Sequence, residues 1–184
     1  REEVAQKEAV PDYAVFQDAS LEEMALVYPT TLEDLAQING ISMNKAKKFG
    51  LFFVQLIQEY AATHDIVPTS DIVVKSVASR SKNKVYIIQQ IDRKKDLQEI
   101  AAAKSLSMAA LLKEMEQLCY AGTKLNIGYY IDTILSADQQ KVLYDYFMQA
   151  KTDSIKRASA VHKGMFEEGE LRLMRIKFLS EVAN

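Results

Sequence analysis

The side chains best suited to chemistry in this sequence are cations, and the chemistry they fit is the holding of an oxyanion. Ile38-Asn39-Gly40-Ile41-Ser42 joins two helical stretches. Gly40 permits a tight turn, and the helix that follows would aim free N–H groups outward, where a phosphate oxygen fits and Lys45, Lys47 and Lys48 add charge. Ser42 stands where a second glycine would allow close approach to the backbone, so a plain helix corner is the competing interpretation. A second stretch, residues 75–104, holds Lys75, Arg80, Lys82, Lys84, Arg93, Lys94, Lys95 and Lys104 against Asp92, Asp96 and Glu99. Arg172 and Arg175, one turn apart, make a smaller patch, with helix-surface ion pairing as the alternative. Tyr13 lies on a Pro-x-Tyr connection. If exposed, its ring would stack a nucleobase, worth roughly 1–3 kcal/mol; half-buried packing is the other use of such a ring.

Bond-breaking chemistry has no visible apparatus. There is no GxxxxGK[ST] phosphate cradle, no DExH-like Mg²⁺ site, no HExxH and no GxSxG. His64 and His162 are isolated at expected helix ends, as C-terminal dipole partners. Cys119 sits on an apolar helix face and reads as an inert core thiol. As the single cysteine it excludes a disulfide framework and any multi-cysteine metal site. Glu22-Glu23 and Glu167-Glu168 fall in first helical turns, where capping and the dipole account for them. No catalytic residue and no metal ligand is expected.

The elements that position these groups are helices. Among 184 residues there are 6 Gly, 3 Pro and no Trp, too few breakers for a turn-rich sandwich. No apolar run approaches the ~18–20 residues of a membrane span, and no signal peptide is visible, so a cytoplasmic, membrane-free protein is expected. The chain opens at Arg1 already in helical pattern, which suggests a fragment of something longer. Residues 1–64 carry five Lys/Arg against ten Asp/Glu, which rules out a uniformly basic coat.

Residues 1–9 read as the end of a helix and Val10 to Phe16 as an extended connection. Ser20 with Glu23 fits a capping box opening the next helix. Thr31 caps a short helix closed by Asn39-Gly40. A long helix to about Thr63 buries Ala46, Phe49, Phe53, Leu56, Ile57 and Tyr60. Residues 65–81 read as a linker, with Ile72-Val73-Val74 able to dock locally. Helix 82–93 would bury Val85, Ile88 and Ile91; helices 96–104 and 108–121 form a helix-turn-helix. Thr123 to Ile131 suits a short strand or wing. Ser136 with Gln139 opens helix 137–149, Asp153 caps helix 154–163, and helix 167–181 turns Leu171, Met174 and Phe178 inward. The predicted fold is mainly α: a bundle at 1–64 with its first helix truncated, the linker, and a helix-turn-helix or winged-helix-like unit at 82–184 with at most a short β segment.

Val10-Pro11-Asp12-Tyr13-Ala14-Val15-Phe16-Gln17-Asp18-Ala19-Ser20-Leu21, Tyr28-Pro29-Thr30-Thr31-Leu32-Glu33-Asp34-Leu35, Ile38-Asn39-Gly40-Ile41 and Lys45 to Phe49-Gly50 resemble the HRDC domain over residues 1–62. This is the helicase and RNase D C-terminal domain of RecQ-family DNA helicases. Asp96-Leu97-Gln98-Glu99-Ile100-Ala101, Gly122-Thr123-Lys124-Leu125, Tyr129-Tyr130-Ile131-Asp132, Tyr146-Phe147, Thr152-Asp153-Ser154 and Glu170-Leu171-Arg172-Leu173 resemble the helix-turn-helix region that follows HRDC in some bacterial RecQ proteins. The resemblance implies the C-terminal end of an ATP-dependent 3′-to-5′ helicase of recombination and repair. ATP, Mg²⁺ and Zn²⁺ would then be bound only by upstream domains. It implies single-stranded or branched DNA, the helicase core and other repair proteins as partners, at the nucleoid. The candidate DNA contacts are Tyr13, Gly40, Lys45, Lys47, Lys48, Lys82, Lys84, Arg93, Lys94, Lys95, Arg172 and Arg175. Lys104-Ser105 replaces the usual turn glycine. The supposed recognition helix would expose Ala109, Ala110, Lys113, Glu114, Glu116 and Gln117, where two carboxylates repel phosphates and argue against major-groove reading. The rival functions are a protein-docking module, favoured by the acidic first unit, and a free-standing transcription factor.

Overall fold

A computed structural model describes residues 1–64, 66 and 81–183, the side chains of Ser81 and Lys82 excepted. Twelve helices and no strand occur among the described residues. They are α1 (Glu2–Lys7), α2 (Asp12–Val15), α3 (Asp18–Val27), α4 (Leu32–Leu35), α5 (Met43–Thr63), α6 (Ser81–Asp92), α7 (Leu97–Ala103), α8 (Met108–Tyr120), α9 (Gly128–Ile134), α10 (Ala137–Gln149), α11 (Ile155–Val161) and α12 (Glu168–Val182). Apart from Ile66 and Ser81, the expected linker 65–81 lies outside the described residues. So do Ile72-Val73-Val74 and the charges of Lys75 and Arg80.

In the first half, Val4, Phe16, Met24, Leu35, Ile38, Phe49 and Phe53 close one core. Phe16 meets Phe53 edge-on with ring centroids 5.0 Å apart. Helices α4 and α5 approach closely at Gly50, where an added Cβ would lie 2.4 Å from a Leu35 methyl. Thr31 Oγ1 caps α4 by accepting from the Asp34 amide, and Ser42 Oγ caps α5 by accepting from Lys45 N–H. Three expectations change here. The Val10–Phe16 connection contains α2. Ser20 and Glu23 form no capping box: Ser20 Oγ donates to the Asn39 carbonyl at 2.9 Å, and Glu23 Oε2 accepts from the Asn39 amide at 3.2 Å. Both side chains therefore clasp the turn before α5. Leu56 and Tyr60, expected inside, are exposed.

In the second half, α12 is the central post, packed against α8, α9, α10 and α11. Leu171, Met174 and Phe178 point inward, and so do Leu173, Ile176 and Leu179, because neighbours surround the helix. Ser136 and Gln139 do form the expected capping box. Ser154, not Asp153, caps α11. Residues 123–127 are irregular and α9 follows, so no wing forms. In α6 the inward residues are Ile87 and Ile91, while Val85 is exposed.

The halves share a seam. Tyr13 and Ala14 of α2 belong to the second core, and Val10 packs on both cores. Tyr13 Oη donates to the Phe147 carbonyl at 2.5 Å. Across the same seam Ser42 N–H donates to the Ala121 carbonyl at 2.8 Å, Lys45 Nζ to that of Tyr120 at 2.9 Å, and Lys48 Nζ to that of Val182 at 3.0 Å.

Candidate nucleic-acid interface

The exposed cationic corner is Arg93-Lys94-Lys95, between α6 and α7. Its shape follows from how α6 stops. Lys94 takes a left-handed conformation at φ 54°, its amide donating to the Ile91 carbonyl at 2.8 Å and the Lys95 amide to Gln90 at 3.0 Å. That is a Schellman ending with lysine where glycine is usual. Three cations thus stand at a helix C-terminus, where the dipole stabilises them. Tyr129 Oη donates to the Lys95 carbonyl at 2.5 Å, and Leu97, fully buried just beyond, anchors the corner. Asp96 caps α7 through the Gln98 amide. Lys95 Nζ lies 3.8 Å from Glu99, an exposed pair that costs the lysine little of its charge. Lys84 is half-buried on α6, and Lys104 Nζ sits 4.3 Å above the Tyr86 ring.

The helix-turn-helix forms without its glycine, since Ser105 supplies the left-handed residue at φ 52°. Helix α8 is nonetheless a core helix. Leu111, Leu112, Met115, Leu118 and Cys119 are buried, and its exposed positions reduce to a narrow stripe at Ala109, Lys113 and Gln117. Glu116, expected on the open face, is only 8% exposed. It receives Arg172 through Nε at 2.8 Å and Nη2 at 2.9 Å, and Arg175 through Nη2 at 2.6 Å. Burial raises the pKa of a carboxyl, but here the two guanidinium groups outweigh it and hold Glu116 below its ordinary value. Arg172 and Arg175 are thereby spent on internal pairing, and Arg175 also donates to the Asp153 carbonyl at 2.8 Å. They offer no patch to DNA.

The hairpin at Gly40 also differs from expectation. Gly40 does turn with φ 86°. Its following helix, however, faces the second half: the Ser42 amide is taken by Ala121, and Lys45 is 2% exposed with its ammonium on Tyr120. Tyr13, a base-stacking candidate only if exposed, is 7% exposed. Physically, all three were apolar or hydrogen-bonding groups awaiting a partner, and the second half fills that role before any phosphate arrives. Lys47 and Lys48 stay at the surface, Lys48 leaning across the Phe49 ring at 5.2 Å. Lys82 has no described side chain.

Desolvation lowers the Lys45 pKa from 10.5 to about 8. The unfolded chain therefore binds more protons than the folded one above pH 8, and stability rises with pH there, by about 1 kcal/mol between pH 8 and 9. Cys119 acts oppositely: burial lifts its thiol from 9.0 to about 12, so stability falls once the unfolded thiol ionises above pH 9. Urea unfolding at steps from pH 7.5 to 9 measures the rise, and Lys45→Met should flatten it. The same buried thiol, 3.1 Å from Ser180 Oγ, is no nucleophile.

Among the described residues no helix is long and apolar enough to cross a membrane, and no three His, Cys, Asp or Glu gather to hold a metal. Sequence reasoning missed the seam itself, whose only local signal was the apolar run Tyr13 to Phe16.

Residues 1–57 match the HRDC domain, and residues 81–131 match the RecQ-1-like helix-turn-helix domain. The chain is similar to proteins named ATP-dependent DNA helicase RecQ. It is 47% identical to that of Haemophilus influenzae over 62 residues, 34% of this chain and 10% of the relative. It is 43% identical to that of Pasteurella multocida over 60 residues, 33% of this chain and 10% of the relative. It is 38% identical to that of Bacillus subtilis over 65 residues, 35% of this chain and 11% of the relative. The matched segment thus spans about a tenth of each relative.

Proposed function

We infer that this chain, which joins an HRDC domain to a RecQ-1-like helix-turn-helix domain and so represents the C-terminal region of a RecQ protein, is a non-catalytic accessory that holds DNA for a helicase motor. The motor, with its ATP, Mg²⁺ and Zn²⁺, lies in other domains of the parent protein, which acts in recombination and repair in the cytoplasm, at the nucleoid. The DNA is single-stranded or branched and is gripped weakly, through phosphates, without sequence preference. The observation that carries this is the Arg93-Lys94-Lys95 corner, three exposed cations on the hydrogen-bonded turn that ends α6. Lys84, Lys47 and Lys48 are further candidate phosphate contacts elsewhere on the chain. The burial of α8 supports the same assignment, because a helix packed against α12 leaves only the stripe at Ala109, Lys113 and Gln117 to lay in a major groove.

With three to five phosphates neutralised on single-stranded DNA, the log-log salt slope should be about −2 to −3.5. Titration with oligo-dT and with a fork at several salt concentrations measures it. Changing Arg93, Lys94 and Lys95 together to alanine should lower the slope magnitude by about 2 and weaken binding at least about tenfold at low salt. Lys113→Ala, on the narrow α8 stripe, should change neither. No binding at about 50 mM salt, or a triple variant that binds as well as the parent, rejects the assignment.

A further inference from the structure

We propose that the groove between α3 and α5 takes a cationic amphipathic helix from a partner protein. This surface is separate from the corner at Lys94, and the proposal goes beyond DNA holding. The groove is lined by Leu21, Met24 and Tyr28 on one wall and by Phe53, Leu56 and Tyr60 on the other, with a cavity volume of about 400 Å³. Both walls repeat at i, i+3 or i+4, and i+7, a span of about 10 Å or two helical turns. Two parallel ridges of that length accept the matching stripe of a third helix, the helix-in-groove mode of recognition. Met24 and Phe53 form its buried floor, while at its edge Leu56 is 54% and Tyr60 48% exposed, an apolar cost with no compensation among the described residues.

Charge selects the occupant. Helix α3 and residues 51–63 of α5 carry Asp18, Glu22, Glu23 and Glu59 and no Lys or Arg of their own; Asp18 pairs with Arg1 and Glu23 holds the Asn39 amide, so Glu22 and Glu59 supply the acidic edge. Glu22 and Glu59 are exposed and each adjoins a lining residue in sequence. Tyr28 stacks on Tyr60 with centroids 6.2 Å apart, so the C-terminal ends of α3 and α5 converge at one end of the groove. Two helix dipoles add their negative ends there. Such a rim repels a nucleic-acid backbone and an acidic peptide, and attracts lysines and arginines that flank an apolar stripe.

The test uses the whole chain and two synthetic helical peptides, each with leucines at i, i+3, i+4 and i+7. One has flanking lysines and the other glutamates in their place. Fluorescence anisotropy should show binding of the lysine peptide and not of the glutamate peptide. Leu56→Asp, checked for folding by circular dichroism, should weaken it at least about tenfold. The surface pair Glu22→Lys and Glu59→Lys should weaken it by a similar factor and admit the glutamate peptide. Equal binding of both peptides, or of neither, overturns the proposal. So does displacement of the lysine peptide by oligo-dT, which would make the groove a nucleic-acid site. Self-association of the chain abolished by Leu56→Asp would overturn it too, by making a second copy the occupant.

Discussion

Replacing Glu116 by alanine is expected to cost the fold about 3–5 kcal/mol, because it strands two guanidinium groups in a site built around one carboxylate. The three side chains are only 11–14% exposed. Arg172 meets the carboxylate with two nitrogens and Arg175 with a third bond, so the charge removed is the counter-ion of both. Thermal or urea unfolding measures the loss; a change under about 1 kcal/mol would show that water already screens the site. Exchanging all three for well-packed apolar residues should cost far less, since the penalty lies in the orphaned charge. The pH dependence has a definite sign. The folded pKa of Glu116 lies below its ordinary 4.5, so its contribution is complete above that range and disappears as pH falls through the folded value.

Tyr13→Ala should cost a comparable amount, about 3–5 kcal/mol, as large-to-small changes of buried aromatics do. The ring lies in the core of the opposite half, 6.5 Å from Phe178 centroid to centroid, although its own residue belongs to α2. Hydrogen exchange should show the loss on both halves, in α2 and in α10 near Phe147, where a locally packed tyrosine would affect only the first. Tyr13→Phe removes the single bond to the Phe147 carbonyl and should cost about 1 kcal/mol. Neither variant should alter the salt slope of DNA binding in the folded protein, since the ring is not at the surface. A change in slope with Tyr13→Phe would place the hydroxyl on DNA after all.

Local signals in the sequence were legible wherever the partner was also local. Thr31 and the Ser136–Gln139 pair cap the helices their spacing predicts. Ser20 and Glu23 have the same spacing as Ser136 and Gln139, yet they hold Asn39, because tertiary approach brings a turn with unpaired backbone groups within reach. Helix ends without glycine were harder to read: Lys94 and Ser105 adopt the left-handed conformation that glycine would advertise. For the candidate site the decisive contacts span great sequence distance. Tyr13 is covered by Phe147, Lys45 by Tyr120, and Glu116 by Arg172 and Arg175. A residue's type and its near neighbours carry no record of such partners. Among what stays at the surface, Arg93 to Lys95 is a run of like charge written directly in the sequence.

The interlock of Tyr13, Ser42, Lys45 and Lys48 with the second half has a mechanical meaning. Two beads on a string would each drift to their own bearing on a substrate, and a tug on one would be lost in slack. Fastened as they are, the halves would turn as one, and a displacement of either would carry the other with it.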